Sequence, residues 1–301
     1  MKFRNIKYII RHPKGILLKL FCHIGWIFPD KLYLVLVYYL KNGEWLNLNN
    51  PQTYNEKLNW LKIYDKNPLY TSMVDKLAVK DYVKAKIGEE YIIPIIGVWN
   101  SPDEIEWDKL PNQFVLKTTH GGANGGVIIC RDKNVFNRTE AISKLKKAMK
   151  QNIYKSLREW PYKNVHKRII AEMYMEDAQT KELRDYKFFA FNGTVRALFI
   201  ATERGSGKVK FDYYDSEFHH LDLVQEHPMS GKQYDKPVCF EEMKRIAGLL
   251  SEGIPQLRVD LYEVNGNVYF GECTFFHHGG MVPFHPHEWD VTFGKWIVLS
   301  D

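Results

Sequence analysis

Residues 258–280 of this 301-residue chain read RVDLYEVNGNVYFGECTFFHHGG. Two runs of alternating apolar and polar residues flank Asn265-Gly266, the pattern of a β-hairpin closed by a tight turn. Each strand carries an acid, Asp260 on the first and Glu272 on the second. Thr274, two residues beyond Glu272, points to the same side. Carboxylates facing each other across a hairpin repel. A divalent cation relieves that repulsion, and a set of oxygen donors suits Mg²⁺. Register decides whether they face. A two-residue turn places the acids on opposite faces, whereas a three-residue loop with Gly266 left-handed shifts the ladder by one. The three-residue loop is the expectation here.

The remaining composition bounds the problem. The chain is long enough for a large core in one multi-lobed domain or two small ones. A net charge of +6 suits a phosphate-rich substrate or an anionic surface, and it is too small to imply nucleic acid. Cys22, Cys130, Cys239 and Cys273 are scattered without a CxxC spacing, as expected of reduced thiols in a cytosolic protein.

The first forty residues carry Lys2, Arg4, Lys7, Arg11, Lys14 and Lys19 with no acid before Asp30. Apolar residues from Ile6 to Ile24 recur at helical spacing. The apolar run from Leu32 to Leu40 is about half of what spans a bilayer. Two readings stand, a helix packed on the main body and a basic amphipathic helix on the inner membrane face. No cleavable signal is evident.

Helices are expected over 52–65, 71–87, 139–151 and 239–253, with Asp75 at the start of the second and Gly88 at its end. Strands are expected over 91–99, 114–117, 126–131, 168–175, 185–191 and 194–202, the last two joined at Asn192-Gly193. This mixture points to α+β layers.

Three stretches carry chemistry. Lys117 ends the strand Phe114–Lys117, and HGGANGG follows with Gly121, Gly122, Gly125 and Gly126. Such a loop lets backbone amides and an ammonium approach phosphate oxygens; an ordinary hairpin loop needing positive φ is the plainer account. The spacing is not that of a P-loop. Glu172 leaves an apolar strand, which by itself reads as a solvated strand end. Asp185 and Lys187 share a strand face, which by itself reads as a surface ion pair.

NPQTYNEKLNWLKIYDKNPLY, VDKLAVKDYVKAKIGEEYIIPIIGVW, FVLKTTHGG and DYKFFAFNG, together with the acidic hairpin, resemble the TupA-like ATP-grasp family from about Pro29 onward. Its members occur in teichuronopeptide and surface-polysaccharide biosynthesis. The resemblance implies an ATP-grasp fold, two lobes clamping ATP, behind a small helical N-terminal segment. The expected boundaries are 1–48, 49–111 and 112–301. It implies ATP and Mg²⁺ as cofactors, with Asp260, Glu272 and Thr274 on the metal. Lys117 and the glycine loop would hold the triphosphate, with Lys76 reaching it from the preceding lobe. Glu172 would start the hinge that takes adenine on the backbone of Met173 and Met175. Lys187 would be a second nucleotide contact, with Asp185 near the ribose or orienting it. Arg204 would hold the γ-phosphate or a substrate carboxylate, and Arg258 would neutralise charge on the transferred group. Thr274 stands where many members have Asn, and His277-His278 fill a turn that often holds proline.

The activity so implied is ATP-dependent carboxylate–amine ligation on a surface glycan or its lipid-linked precursor, with an amino acid or amine as co-substrate. A glycan kinase would use the same nucleotide residues. A glycosyltransferase would need a DxD motif, which is absent. A membrane-docked scaffold would bind no ATP. The spacing of His277, His278, His285 and His287 fits no common zinc pattern.

Overall fold

The structure, a computed structural model, describes residues 18, 21, 24–121, 126–179, 183–203 and 207–300. In chain order the helices are α1 (Asp30–Asn42), α2 (Tyr54–Tyr64), α3 (Leu69–Val74), α4 (Val79–Ile87), α5 (Arg138–Met149), α6 (Ile153–Leu157), α7 (Phe240–Leu250) and α8 (His287–Trp296). The strands are β1 (Ile95–Trp99), β2 (Phe114–Thr118), β3 (Val127–Cys130), β4 (Ile169–Met173), β5 (Asp185–Phe191), β6 (Thr194–Thr202), β7 (Lys210–Asp215), β8 (His220–Leu221), β9 (Leu257–Val264) and β10 (Asn267–Thr274). Among the described residues they form a four-stranded sheet, β1-β4-β2-β3, and a six-stranded sheet, β10-β9-β5-β6-β7-β8. No described helix is long and apolar enough to cross a membrane.

The chain divides into two units. One comprises Met1–Lys66, Ile153–Trp160 and Phe276–Asp301. Its helix α2 begins on a reciprocal cap. Thr53 Oγ1 accepts the Glu56 amide at 3.2 Å, and Glu56 Oε2 accepts the Thr53 amide at 3.0 Å. One side of α2 buries Tyr54, Leu58 and Leu61. Tyr54 meets the rings of Phe284 and Phe293. A second side buries Asn55, Asn59 and Lys62, four and three residues apart. They donate to the carbonyls of Val282 (2.9 Å), Gly280 (2.6 Å) and Gly279 (2.5 Å). This polar row fixes a turn in which His278, Gly279 and Gly280 are all left-handed. Burial pulls the Lys62 ammonium down to about 7, opposed by the Glu159 carboxylate. Helix α1 closes the unit with Tyr33, Leu34 and Val37.

The other unit, Asn67–Asn152 and Pro161–Phe275, holds both sheets. One face of the four-stranded sheet packs Phe114, Leu116, Ile169 and Ala171 against Leu145 of α5. Alternation then turns Val115, Lys117, Ile170 and Glu172 to the opposite face. In the six-stranded sheet, Phe188 meets Phe240 of α7, whose Met243, Ile246, Ala247 and Leu250 are also buried. The odd-numbered side of β5, with Asp185 and Lys187, lies on the face away from α7.

Two expected elements come out differently. The helix expected over 71–87 is interrupted at Asp75, whose Oδ1 accepts the amides of Leu77 (2.8 Å) and Ala78 (3.3 Å). Asp75 therefore stops α3 and starts the turn into α4. The strand expected over 91–99 opens as a 3-10 turn, Glu89–Tyr91, makes one isolated bridge from Ile92 to Phe270, and joins the four-stranded sheet only from Ile95. Pro94 removes a donor there. The β7–β8 pair and α8 had no expectation from the sequence.

Candidate active site

The hairpin β9–β10 has a different turn from the one expected. Asn265 and Gly266 are both left-handed, at φ 51° and 74°, and Val264 pairs with Asn267. This is a two-residue closure, not a three-residue loop. The register shift lies further along, between Phe270 and Glu272, where Gly271 is an extra residue. Beyond this β-bulge Glu272 pairs with Asp260, and Thr274 with Arg258. The acids do share a face, through the bulge. A lone glycine inside a strand pattern was the available signal.

Lys187 of β5 lies opposite Asp260 of β9. The face carries a line of alternating charge. Asp185 Oδ2 is 2.8 Å from Lys187 Nζ, and Lys187 is also ion-paired to Asp260. Arg258 holds both oxygens of Asp260, Nε to Oδ1 at 2.7 Å and Nη2 to Oδ2 at 2.8 Å. The same Nη2 is 3.4 Å from Glu272 Oε1, and Lys76 Nζ is 2.8 Å from Glu272 Oε2. Three anions thus alternate with three cations. Asp185, Lys187 and Asp260 are buried, which corrects the surface-pair reading of the first two.

Burial would raise the Glu272 carboxyl, but Lys76, Lys187 and Arg258 outweigh it and hold it well below the usual carboxylate range. For Asp260, burial pushes upward, Arg258 and Lys187 pull back, and Asp185 and Glu272 push again; the net displacement is upward. A group with positive charge near Asp260 and Glu272 would relieve this crowding.

Lys76 is placed by the α3–α4 break. Its amide donates to the Thr119 carbonyl at 3.0 Å, and Asp75 pairs with Arg168 at 3.2 Å. Both bonds tie the break to the root of the glycine loop. The Thr118 amide reaches the Gly126 carbonyl at 2.8 Å, closing the loop's neck. A Cβ at Gly121 would sit 2.3 Å from Thr118 Oγ1, so a side chain there would displace that hydroxyl. His120, which the sequence reading passed over, is buried with Nε2 3.3 Å from the Ala148 carbonyl. Gly122, Gly125 and Arg204 lie outside the described residues.

A second charged cluster sits on the four-stranded sheet. Glu172 is buried, not a solvated strand end, and each of its oxygens holds a lysine. Lys117 Nζ is 2.5 Å from Oε2, and Lys80 Nζ is 2.7 Å from Oε1. Lys80 escaped the sequence reading, although a lysine between Val79 and Val83 on the buried side of α4 was visible. The Met173 amide donates to the Pro94 carbonyl at 3.0 Å, so that donor is not on offer to a base edge.

Ammonium and guanidinium groups set among buried carboxylates on two sheets can exchange those carboxylates for phosphate oxygens. That is the chemistry of a protein handling a polyanion with a cation. Residues 56–298 match the TupA-like ATPgrasp family. The chain belongs to that family, and its α+β fold is an ATP-grasp fold. No curated protein matches it. Among solved structures, the D-alanine–D-alanine ligase from Helicobacter pylori is 13% identical over 82% of this chain and 69% of that chain, with a TM-score of 0.44. The L-amino acid ligase from Bacillus licheniformis is 14% identical over 75% of this chain and 49% of that one, with a TM-score of 0.43. The D-alanine–D-alanine ligase from Bacillus anthracis complexed with ATP is 15% identical over 67% of this chain, with a TM-score of 0.39. The chain spans 53% of that ligase's length. At these scores the structures carry no argument about substrate.

Proposed function

We propose that the protein is an ATP- and Mg²⁺-dependent carboxylate–amine ligase acting on a surface glycan or its precursor. The observation that carries this reading is the Asp260–Glu272 pair, brought opposite each other by the Gly271 bulge and flanked by Lys76, Lys187 and Arg258. Asp260, Glu272 and Thr274 offer only oxygen donors, which fits Mg²⁺. When bound, Mg²⁺ supplies charge neutralisation between carboxylates and phosphates.

The chain's own residues do the rest. Lys117 and the glycine loop bind the α and β phosphates. The backbone after Glu172, at the Met173 carbonyl and Met175, receives adenine. Lys76 and Lys187 exchange carboxylate partners for phosphate oxygens, with Asp185 orienting Lys187. Arg258 meets charge that grows on the transferred phosphoryl group, and Arg204 holds the substrate carboxylate or the γ-phosphate. A substrate carboxylate oxygen attacks the γ-phosphorus, and the bond to the bridging oxygen of ADP breaks. An amine then attacks the acyl carbon, the carbon–oxygen bond to phosphate breaks, and phosphate and a proton leave. No side-chain nucleophile takes part; positioning and charge stabilisation suffice.

A uronic acid or amino acid on a lipid-linked glycan is the expected carboxylate. The same reading seats the chain peripherally on the inner membrane face. Ile24, Trp26 and Ile27 are exposed there, Trp26 by 78%, next to a segment with six basic residues and no acid. Losing residues 1–20 should then reduce sedimentation with anionic vesicles at low salt.

The first test is thermal stabilisation by ATP, with and without Mg²⁺, in the wild type and in Glu272→Ala. A Mg²⁺-dependent shift that the variant loses is expected. No shift with any nucleotide would overturn the reading. Amine-dependent ADP release then separates a ligase from a kinase.

A further inference from the structure

Lys80 has no part in the nucleotide contacts proposed above, and it is an expensive residue to place where it is. It is buried beneath the four-stranded sheet on α4, with 9% of its surface exposed. Desolvating an ammonium is costly, and a well-packed apolar side chain usually serves stability as well or better. Burial lowers the Lys80 ammonium from its ordinary value, and Glu172 opposes this. On Glu172 burial pushes upward, and Lys117 and then Lys80 outweigh it, so that the carboxyl is held low.

The two lysines are not equivalent. Lys80 has a second anchor, donating to the Ile93 carbonyl at 3.0 Å. That carbonyl belongs to the segment leading into β1, so Lys80 is fixed between helix and sheet. Among the described residues, Lys117 has only Glu172 as an ion-pair partner. It sits at the neck of the glycine loop, where Thr118 bonds to Gly126. One lysine is tethered and the other is transferable.

We infer that Lys80 is a positioning residue of the nucleotide site: it stays on Glu172 as a permanent counter-ion, so that Lys117 can leave for phosphate. This inference rests on the nucleotide reading of Lys117. A buried carboxylate with one partner resists losing it, because the charge left behind is uncompensated. Two partners, one to each oxygen, remove that penalty for the mobile one. Without Lys80, Lys117 becomes the sole counter-ion of Glu172 and is held back from the phosphates.

The test is ATP affinity at fixed Mg²⁺, by calorimetry on the full chain. The variants are Lys80→Met, Lys80→Arg, Glu172→Gln, the double variant Lys80→Met/Glu172→Gln, and Lys117→Ala. Lys80→Met should weaken ATP binding on the order of 10- to 100-fold, and Lys80→Arg should recover most of it. In the Glu172→Gln background, where no carboxylate remains to hold Lys117 back, Lys80→Met should change affinity by less than about threefold. Equal losses in both backgrounds would overturn the inference, since Lys80 would then act on the nucleotide or the fold and not through Glu172. Unchanged affinity in Lys80→Met, with binding lost in Lys117→Ala, would also overturn it while leaving the nucleotide site standing. Unchanged affinity in Lys117→Ala, or no binding by wild type, would sink the nucleotide reading itself. Should Lys80→Met not fold, Lys80→Gln serves in both backgrounds with the same outcomes.

Discussion

Gly271→Ala adds one methyl group at the bulge that aligns the two acids. An ideal Cβ there lies 2.9 Å from the Asp260 carbonyl oxygen, and 3.0 and 3.2 Å from two atoms of the Tyr262 ring. The ring can swing by a few tenths of an ångström. The carbonyl cannot, because β9 is paired on both sides, to β10 and β5. Relief must come from β10 moving away from β9 where Glu272 faces Asp260. Overpacking of this kind costs about 1–3 kcal/mol. Urea unfolding should show a lower midpoint with an unchanged slope. Mg²⁺-dependent stabilisation by ATP should fall more than stability does, since the displaced backbone carries Glu272. Deleting Gly271 is the control. It places Glu272 directly after Phe270, hence opposite Asp260 in an unbroken ladder, and should keep a Mg²⁺-dependent shift. A Gly271→Ala protein within about 0.5 kcal/mol of wild type, with full ATP stabilisation, would refute the reasoning.

Asp260→Asn keeps the shape of the side chain and removes its charge; Mg²⁺-dependent turnover of ATP should disappear, and retained turnover would remove Asp260 from the metal site. Burial raises the Asp290 carboxyl to about 6, partly offset by hydrogen bonds from Asn55. Its folded value lies above its unfolded one, so its contribution to stability is full below about pH 4 and lost as pH rises through about 6. The loss is about 3 kcal/mol for a shift of some two units. Asp290→Asn should therefore flatten the stability profile between pH 4 and 7.5, and profiles parallel to wild type would refute the assignment. In Gly294→Ala the new Cβ would lie 2.2 Å from the Gln52 carbonyl at the start of α2. Urea titration should show it destabilised by about 1–3 kcal/mol or more, and an unchanged midpoint would show that α8 shifts freely.

Local chemistry was what the sequence made legible. The helix over 52–65, the hairpin at Asn192-Gly193, and the strand pair leading into and out of the glycine loop follow from neighbouring residues, and they were read from them. The acids of β9 and β10 were recognised as partners, yet the device that aligns them was misplaced from Gly271 to the turn. Both devices shift a register by one, and both Gly266 and Gly271 offer a glycine for it; the backbone geometry decides for Gly271. Lys80 was passed over because its meaning depends on Glu172, 92 positions away in number and adjacent in space. The burial of Asp185 and Lys187 was likewise invisible, since it requires β6 and β9 on either side of β5. Periodicity tells which way a side chain points and is silent about what lies there.

The row Asn55, Asn59 and Lys62 has a consequence for how the protein is made. Its acceptors at Gly279, Gly280 and Val282 leave the ribosome more than two hundred residues after α2 does. Contacts of such separation form late, because the loop they close carries its full entropic cost. Helix α2 must therefore spend most of synthesis with that side uncovered. The apolar side, whose Tyr54 waits for Phe284 and Phe293, stays uncovered as long, and a second apolar row would add to the surface that invites association with other nascent chains. Amide and ammonium groups remain hydrated until the carbonyls arrive, and then exchange water for protein. The polar seam is thus suited to waiting. Nascent chains stalled at residue 275 should exchange the α2 amides freely, and release of the complete chain should protect them.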